Sequence, residues 1–219
     1  MQLKLVRHGE SLANIGAVDP AEVGDHTIGL TPRGREQARH AGGLLGARFL
    51  EGALTYSSPY RRARETLEGI LEGAAVDRAG VRVYEDPRLR EVDPGYTARA
   101  AQEELRRAHG WFYYRFQGGE SPADCYDRTS GFLESLMRQT ARKRVDRVLI
   151  VAHGLTIRCF VMRFLHLTVE QFDSLANPAN CDIVTLAFEE ELDKPMYTSG
   201  RWGVTGLRLR EDEVISGGH

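Results

Sequence analysis

Two histidines in this chain occupy the same local setting. His8 follows an apolar run at residues 3–6 and Arg7, and precedes Gly9-Glu10; His153 follows a run at residues 148–152 and precedes Gly154. An apolar run that stops abruptly at a polar residue and a glycine is how a buried strand delivers side chains to a ligand crevice. The repetition predicts two imidazoles facing each other across one site. Arg7 adjoins the first. Arg62 lies near the start of a helical pattern at residues 60–71, where amide groups and the helix dipole already favour an anion. The polar stretch at residues 86–95 supplies Glu91, with Asp86 and Asp93 as alternatives.

Two imidazoles, two guanidinium groups and a carboxyl suit a dianion. A divalent cation would be repelled by the arginines, and the chain has no HxH spacing or carboxylate cluster to hold one, so no metal is expected. Phosphate is the obvious dianion: arginine forks hold its oxygens, and a neutral imidazole can attack phosphorus in line. Neighbouring cations are expected to keep His8 unprotonated, whereas a protonated His153 would stabilise charge on the equatorial oxygens. A carboxylic acid at Glu91 would protonate the leaving alkoxide and then, as carboxylate, deprotonate the incoming water.

The elements that must position these groups alternate. Strands are predicted at residues 3–6, 53–56, 81–84, 148–151 and 181–188, with 202–209 as an edge strand or arm. Helices are predicted from Thr31-Pro32, at 60–71, 98–117, from Ser121-Pro122, at 155–165, and from a capping box at Thr168 to Gln171. Residues 15–30 read as a loop over the site, 189–201 as a loop and 216–219 as a fraying tail. Such alternation implies a three-layer α/β/α sandwich with a mostly parallel central sheet, whose crevice lies at the carboxyl ends of the strands.

At 219 residues the chain is expected to form one domain, with residues 94–120 as a cap or lid insertion. Its 42% hydrophobic content, 27% charged content and net charge of −2 point to neither nucleic acid nor membrane as partner. The three cysteines, Cys125, Cys159 and Cys181, lack CxxC spacing and read as buried thiols. Residues 1–9 do not form a signal peptide, which leaves the cytoplasm as the expected compartment. Oligomeric state is not set by any of these features.

The segment Leu5-Val6-Arg7-His8-Gly9-Glu10-Ser11, followed by Asn14, resembles the signature of the histidine phosphatase superfamily, to which cofactor-dependent phosphoglycerate mutases also belong. The resemblance extends in order through residues 30–38, Ser57-Ser58-Pro59-Tyr60-Arg61-Arg62-Ala63, Leu89-Arg90-Glu91, Gly119-Glu120-Ser121 and Val151-Ala152-His153-Gly154. It implies a phosphoglycerate mutase-like fold, His8 as the phosphorylated nucleophile, and Arg7 and Arg62 with His153 as the phosphate pocket. Asn14 and Gly154 line that pocket, Glu91 is the proton donor, and no cofactor is needed. The implied partner is a small phosphate ester. Mutases of the family carry a longer insertion with an Arg-Arg-Ser element for a substrate carboxylate; this chain has Arg106-Arg107-Ala108 inside a helical pattern, which favours a phosphomonoesterase. A mutase and a non-catalytic phosphate-binding module are the alternatives.

Overall fold

Apolar runs too short for helices pair into one seven-stranded sheet. The strands are β1 (Gln2–Arg7), β2 (Leu54–Ser57), β3 (Val83–Glu85), β4 (Arg147–Ala152), β5 (Ile183–Phe188), β6 (Tyr197–Ser199) and β7 (Trp202–Thr205). In this computed structural model, which describes residues 1–96 and 99–210, their order is β3-β2-β4-β1-β5-β7-β6. The first four in that order run parallel; β5, β7 and β6 add an antiparallel flank. The tail at 216–219 and residues 97–98 of the segment 94–120 lie outside the described residues.

The helices are α1 (Pro20–Val23), α2 (Pro32–Leu45), α3 (Ala47–Leu50), α4 (Arg61–Gly73), α5 (Glu103–His109), α6 (Pro122–Lys143), α7 (Gly154–Leu165) and α8 (Val169–Ser174). Because strand side chains alternate between faces, β4 serves two cores at once. Leu149 and Val151, with Val6, pack against Ala41 and Leu45 of α2 and Leu67 and Ile70 of α4. Val148 and Ile150, with Leu3 and Leu5, pack against Phe132 and Leu136 of α6 and Ile157 and Phe160 of α7. Helices therefore cover both faces of the sheet. Gly42 permits close packing of α2 on α4, since a Cβ there would sit 2.1 Å from the Ile70 carbonyl oxygen. Among the described residues no helix is long and apolar enough to cross a membrane.

The caps read from sequence are made. Thr31 accepts from the Gly34 amide, and Ser121 with Asp124 and Thr168 with Gln171 form reciprocal capping boxes. Three stretches differ from expectation. Residues 98–117 are not one helix: a 3-10 turn at Arg99–Gln102 leads into α5, Gly110 with φ +85° ends it, and the aromatic run beyond folds as turns with Phe112 and Phe116 buried. Residues 202–209 do not form the edge; β7 lies between β5 and β6, and the edge strand β6 falls in the stretch read as loop. Residues 15–30 contain α1 and a 3-10 turn at Asp25–Thr27. Cys125 and Cys159 are buried thiols, whereas Cys181 is only partly buried.

Candidate active site

Strand register brings the two histidines together. Arg7 pairs with Ala152 across β1 and β4, so His8 and His153 leave the sheet at the same level, and the His8 amide donates to the Ala152 carbonyl at 2.9 Å. Their ring centroids are 5.1 Å apart. His8 Nδ1 lies 2.8 Å from the Gly9 carbonyl oxygen. A carbonyl can only accept, so Nδ1 carries the proton and Nε2 keeps its lone pair. His153 Nε2 meets Ser58 Oγ at 2.8 Å, and its Nδ1 is buried with no hydrogen-bond partner among the described residues. Burial first, and the Arg62 and Arg7 charges after it, push His8 well below the ordinary histidine value, against a smaller opposing pull from the Gly9 carbonyl. His153 is pushed the same way by burial, then by Arg62, His8, Arg128 and Arg7. Full burial among cations thus works against a protonated His153.

The cations come from both sides of the sheet end. Arg7 directs Nη1 to the Pro178 carbonyl at 2.6 Å. Arg62 enters from the first turn of α4, buried to 4% exposure, and packs over the Tyr60 ring at 5.0 Å. Its fork is engaged: Nη1 and Nη2 donate to the two Asp25 carboxylate oxygens at 2.8 and 2.9 Å, and Nη1 also reaches the Asp25 carbonyl. Its carbonyl accepts from Thr66 Oγ1, which in turn accepts from the Gly9 amide, so a short relay ties α4 to the end of β1. Arg61 faces outward and pairs with Glu65. Tyr60 walls the crevice, 5.1 Å from His153 and 6.5 Å from the exposed His26. His40, His109 and His166 are exposed.

Asn14 is exposed, and its Oδ1 accepts from the Ser11 amide and from Asn180 Nδ2. Gly154 opens α7; a Cβ there would lie 3.0 Å from the Asn177 side chain. Its amide is one of the first-turn donors that a helix leaves without an internal partner.

Of the three acids, Asp86 is spent on its neighbours: it caps the Arg88 amide and takes a bidentate pair from the Arg88 guanidinium. Asp93 accepts from the Gly95 amide and is exposed. Glu91, half-buried between the buried side chains of Leu89 and Val92, has Oε1 3.3 Å from Thr156 Oγ1. That threonine stands on the first turn of α7, so Glu91 and His153 share an anchor.

Sequence reasoning passed over Asn180, whose Nδ2 donates to the His8 carbonyl at 2.9 Å. The ends of parallel strands point to a site in such a sheet, but β5 runs antiparallel to β1, so the segment leading into β5 reaches the same end of the sheet. Asp25, Glu120 and Arg128 were likewise given no role; their partners are remote in sequence.

Four parallel strands with two histidines at the carboxyl ends of the adjacent strands β1 and β4, helices on both faces and arginines from strand and helix define a class: an α/β protein with a paired-imidazole, cationic crevice. The chain belongs to the histidine phosphatase superfamily, branch 1, whose family model matches residues 3–195. It is 41% identical over 199 residues to a phosphoglycerate mutase-like protein of Arabidopsis thaliana, covering 81% of this chain and 70% of that one. A broad-range acid phosphatase of Saccharomyces cerevisiae matches at 27% identity, covering 87% and 86% of the two chains. Among solved structures, a mycobacterial glucosyl-3-phosphoglycerate phosphatase superposes with a TM-score of 0.70 at 26% identity, covering 95% of this chain and 96% of that one. Members of the superfamily are phosphatases or mutases, and this chain is an enzyme of that kind.

Proposed function

We propose that this protein hydrolyses small phosphomonoesters through a phosphohistidine on His8. The reading is carried by the His8 ring: its Nδ1 proton is committed to the Gly9 carbonyl, burial and two arginines keep it neutral, and Nε2 is left as a nucleophile facing a second imidazole. Arg7 and Arg62 hold the phosphoryl oxygens, with Asn14 and the Gly154 amide lining the pocket. The His153 ring, held at Nε2 by Ser58 Oγ, stands 5.1 Å from the His8 ring and completes the phosphoryl pocket. Nε2 of His8 forms the N–P bond as the P–O bond to the alcohol breaks, and the Glu91 carboxylic acid gives its proton to the departing oxygen. Water then delivers its oxygen to phosphorus and a proton to the Glu91 carboxylate, the N–P bond breaks, and phosphate leaves with both groups restored.

A phosphatase outcome is favoured over mutase chemistry by the position of Arg106. It pairs with Glu103 and lies between the Trp111 and Phe116 rings at 4.9 and 5.2 Å, buried in its own segment rather than offered to a substrate carboxylate. The test is phosphate release from a panel of sugar phosphates, nucleotides, phosphoglycerates and phosphopeptides. Release that His8→Ala abolishes, with an acid-labile phosphate adduct on the intact wild-type protein, is the expected result. Rapid interconversion of 2- and 3-phosphoglycerate with bisphosphoglycerate, and no release from any ester, would replace the hydrolase with a mutase.

A further inference from the structure

The loop that carries Glu91 has little of its own to hold it. It leaves β3, which is three residues long, and makes one 3-10 turn at Pro87–Leu89 before the acid. Besides the Thr156 hydroxyl, which donates to the Arg90 carbonyl at 2.7 Å and lies 3.3 Å from Glu91 Oε1, the ties that fix it come from Glu120 and Arg128. Glu120 precedes α6; its carboxylate accepts from the Arg90 guanidinium, lies 3.5 Å from the Asp93 amide, and takes Arg128 Nε and Nη2 at 3.2 and 3.1 Å. The Glu120 amide donates to the Asp93 carbonyl at 2.9 Å. Arg128, on the second turn of α6, donates Nη1 to the Arg88 carbonyl at 2.7 Å. Residues 88, 90 and 93 are thus all tied to one ion pair, with Glu91 between them.

The side chains of that pair are 14% and 9% exposed. A buried ion pair contributes little net stability compared with apolar residues of the same volume, because both charges lose their water. Bulk stability is therefore a poor account of it, whereas fixing one geometry of a loop is a role it fills well. The close approach of the two segments points the same way: a Cβ on Gly119 would fall 2.3 Å from the Asp93 carbonyl oxygen.

We propose that Glu120 and Arg128 are positioning residues for proton donation, their ion pair setting where the loop at residues 88–93 presents the Glu91 carboxyl. This rests on the reading of Glu91 as proton donor to a departing alkoxide. A proton donor matters most when the leaving group is strongly basic, and hardly at all when it leaves readily as an anion. The experiment compares an alkyl ester, 2-glycerophosphate, with 4-nitrophenyl phosphate in wild type, Glu120→Gln, Arg128→Lys and Glu91→Gln. Each comparison is made in kcat/KM, which ends at phosphoryl transfer to His8 and leaves out the hydrolysis step that both esters share. In Glu120→Gln, kcat/KM for 2-glycerophosphate is expected to fall roughly 10- to 100-fold, part of the contribution typical of general acid catalysis. For the 4-nitrophenyl ester kcat/KM should change by less than about threefold, so that ester also reports that the variant is folded. Arg128→Lys keeps the charge but not the fork, and should show the same selective loss to a smaller degree. Glu120→Gln added to Glu91→Gln should cost nothing further, as expected of groups acting through one another. Equal loss on both esters, or no loss on either, in both variants overturns the positioning role. A Glu91→Gln variant that leaves the ratio of the two esters unchanged overturns instead the assignment of Glu91, and the proposal falls with it.

Discussion

His8 owes its chemistry to two neighbours that are adjacent in sequence and one condition that is not. The Gly9 carbonyl fixes the tautomer and Arg7 supplies charge, but the largest influence on the ring is burial, which only the folded sheet provides. Both His8 and His153 are held below the ordinary histidine value, whereas in the unfolded chain they take up protons below about pH 6.5. Between that pH and the folded-state values the unfolded chain binds more protons, so stability present at neutral pH is lost on acidification. The slope is up to about 1.4 kcal/mol per pH unit for each ring. Urea unfolding across this range should show it, and a His8→Asn, His153→Asn double variant should lose distinctly less stability on acidification than wild type. Ring-nitrogen NMR should find His8 still neutral, with its proton on Nδ1, at about pH 6. A His8 titration near 6.5 would contradict the burial argument. At this scale the sequence was legible wherever a residue's place follows from a strand end, as for His8, His153 and Arg7. It was not legible for Asp25, Asn180 or Glu120, each of which acts by a bond to a residue distant in the chain.

At the scale of elements, caps and strand runs were readable because their signals are local, and helix α2 and both capping boxes begin where Thr31, Ser121 and Thr168 stand. The segment at 98–117 was misread because its apolar residues mimic a helical stripe while Gly110 breaks it. The 3-10 turn at Asp25–Thr27 is the more consequential omission. It delivers the Asp25 carboxylate into the fork of Arg62, the fork that the proposed function gives to a phosphoryl group. A carboxylate and a phosphoryl dianion compete for those N–H groups, so removing the charge should help the ligand. Asp25→Asn is expected to lower the inhibition constant for inorganic phosphate roughly three- to tenfold, the tenfold limit being about 1.4 kcal/mol. Isothermal titration with phosphate reads this without turnover. Weaker phosphate binding in the variant would show that Asp25 holds Arg62 in place for the ligand.

Across the whole molecule the site draws on both layers: Arg62 from the helix layer packed on Leu149 and Val151, Thr156 from the layer packed on Val148 and Ile150, and the histidines from the sheet between them. The sequence showed the alternation that builds such layers but not the strand order that makes β1 and β4 neighbours, because pairing between residues 2–7 and 147–152 has no local signature. If the sheet is a rigid septum, damage to one core should not be felt in the other. Ile150→Val and Val151→Ala test this on adjacent residues that point into different cores. Each should cost about 1–2 kcal/mol, from one or two buried methylene equivalents and the space they leave. Having no shared packing partners, the two costs should add to within about 0.5 kcal/mol in the double variant. Phosphate affinity of the folded protein should be unchanged in all three, since none of the removed atoms touches the crevice. A coupling above about 1 kcal/mol would mean that β4 shifts as a unit when either face is hollowed. The spacing of His8 and His153 would then depend on packing in both layers, and phosphate affinity should drop with stability.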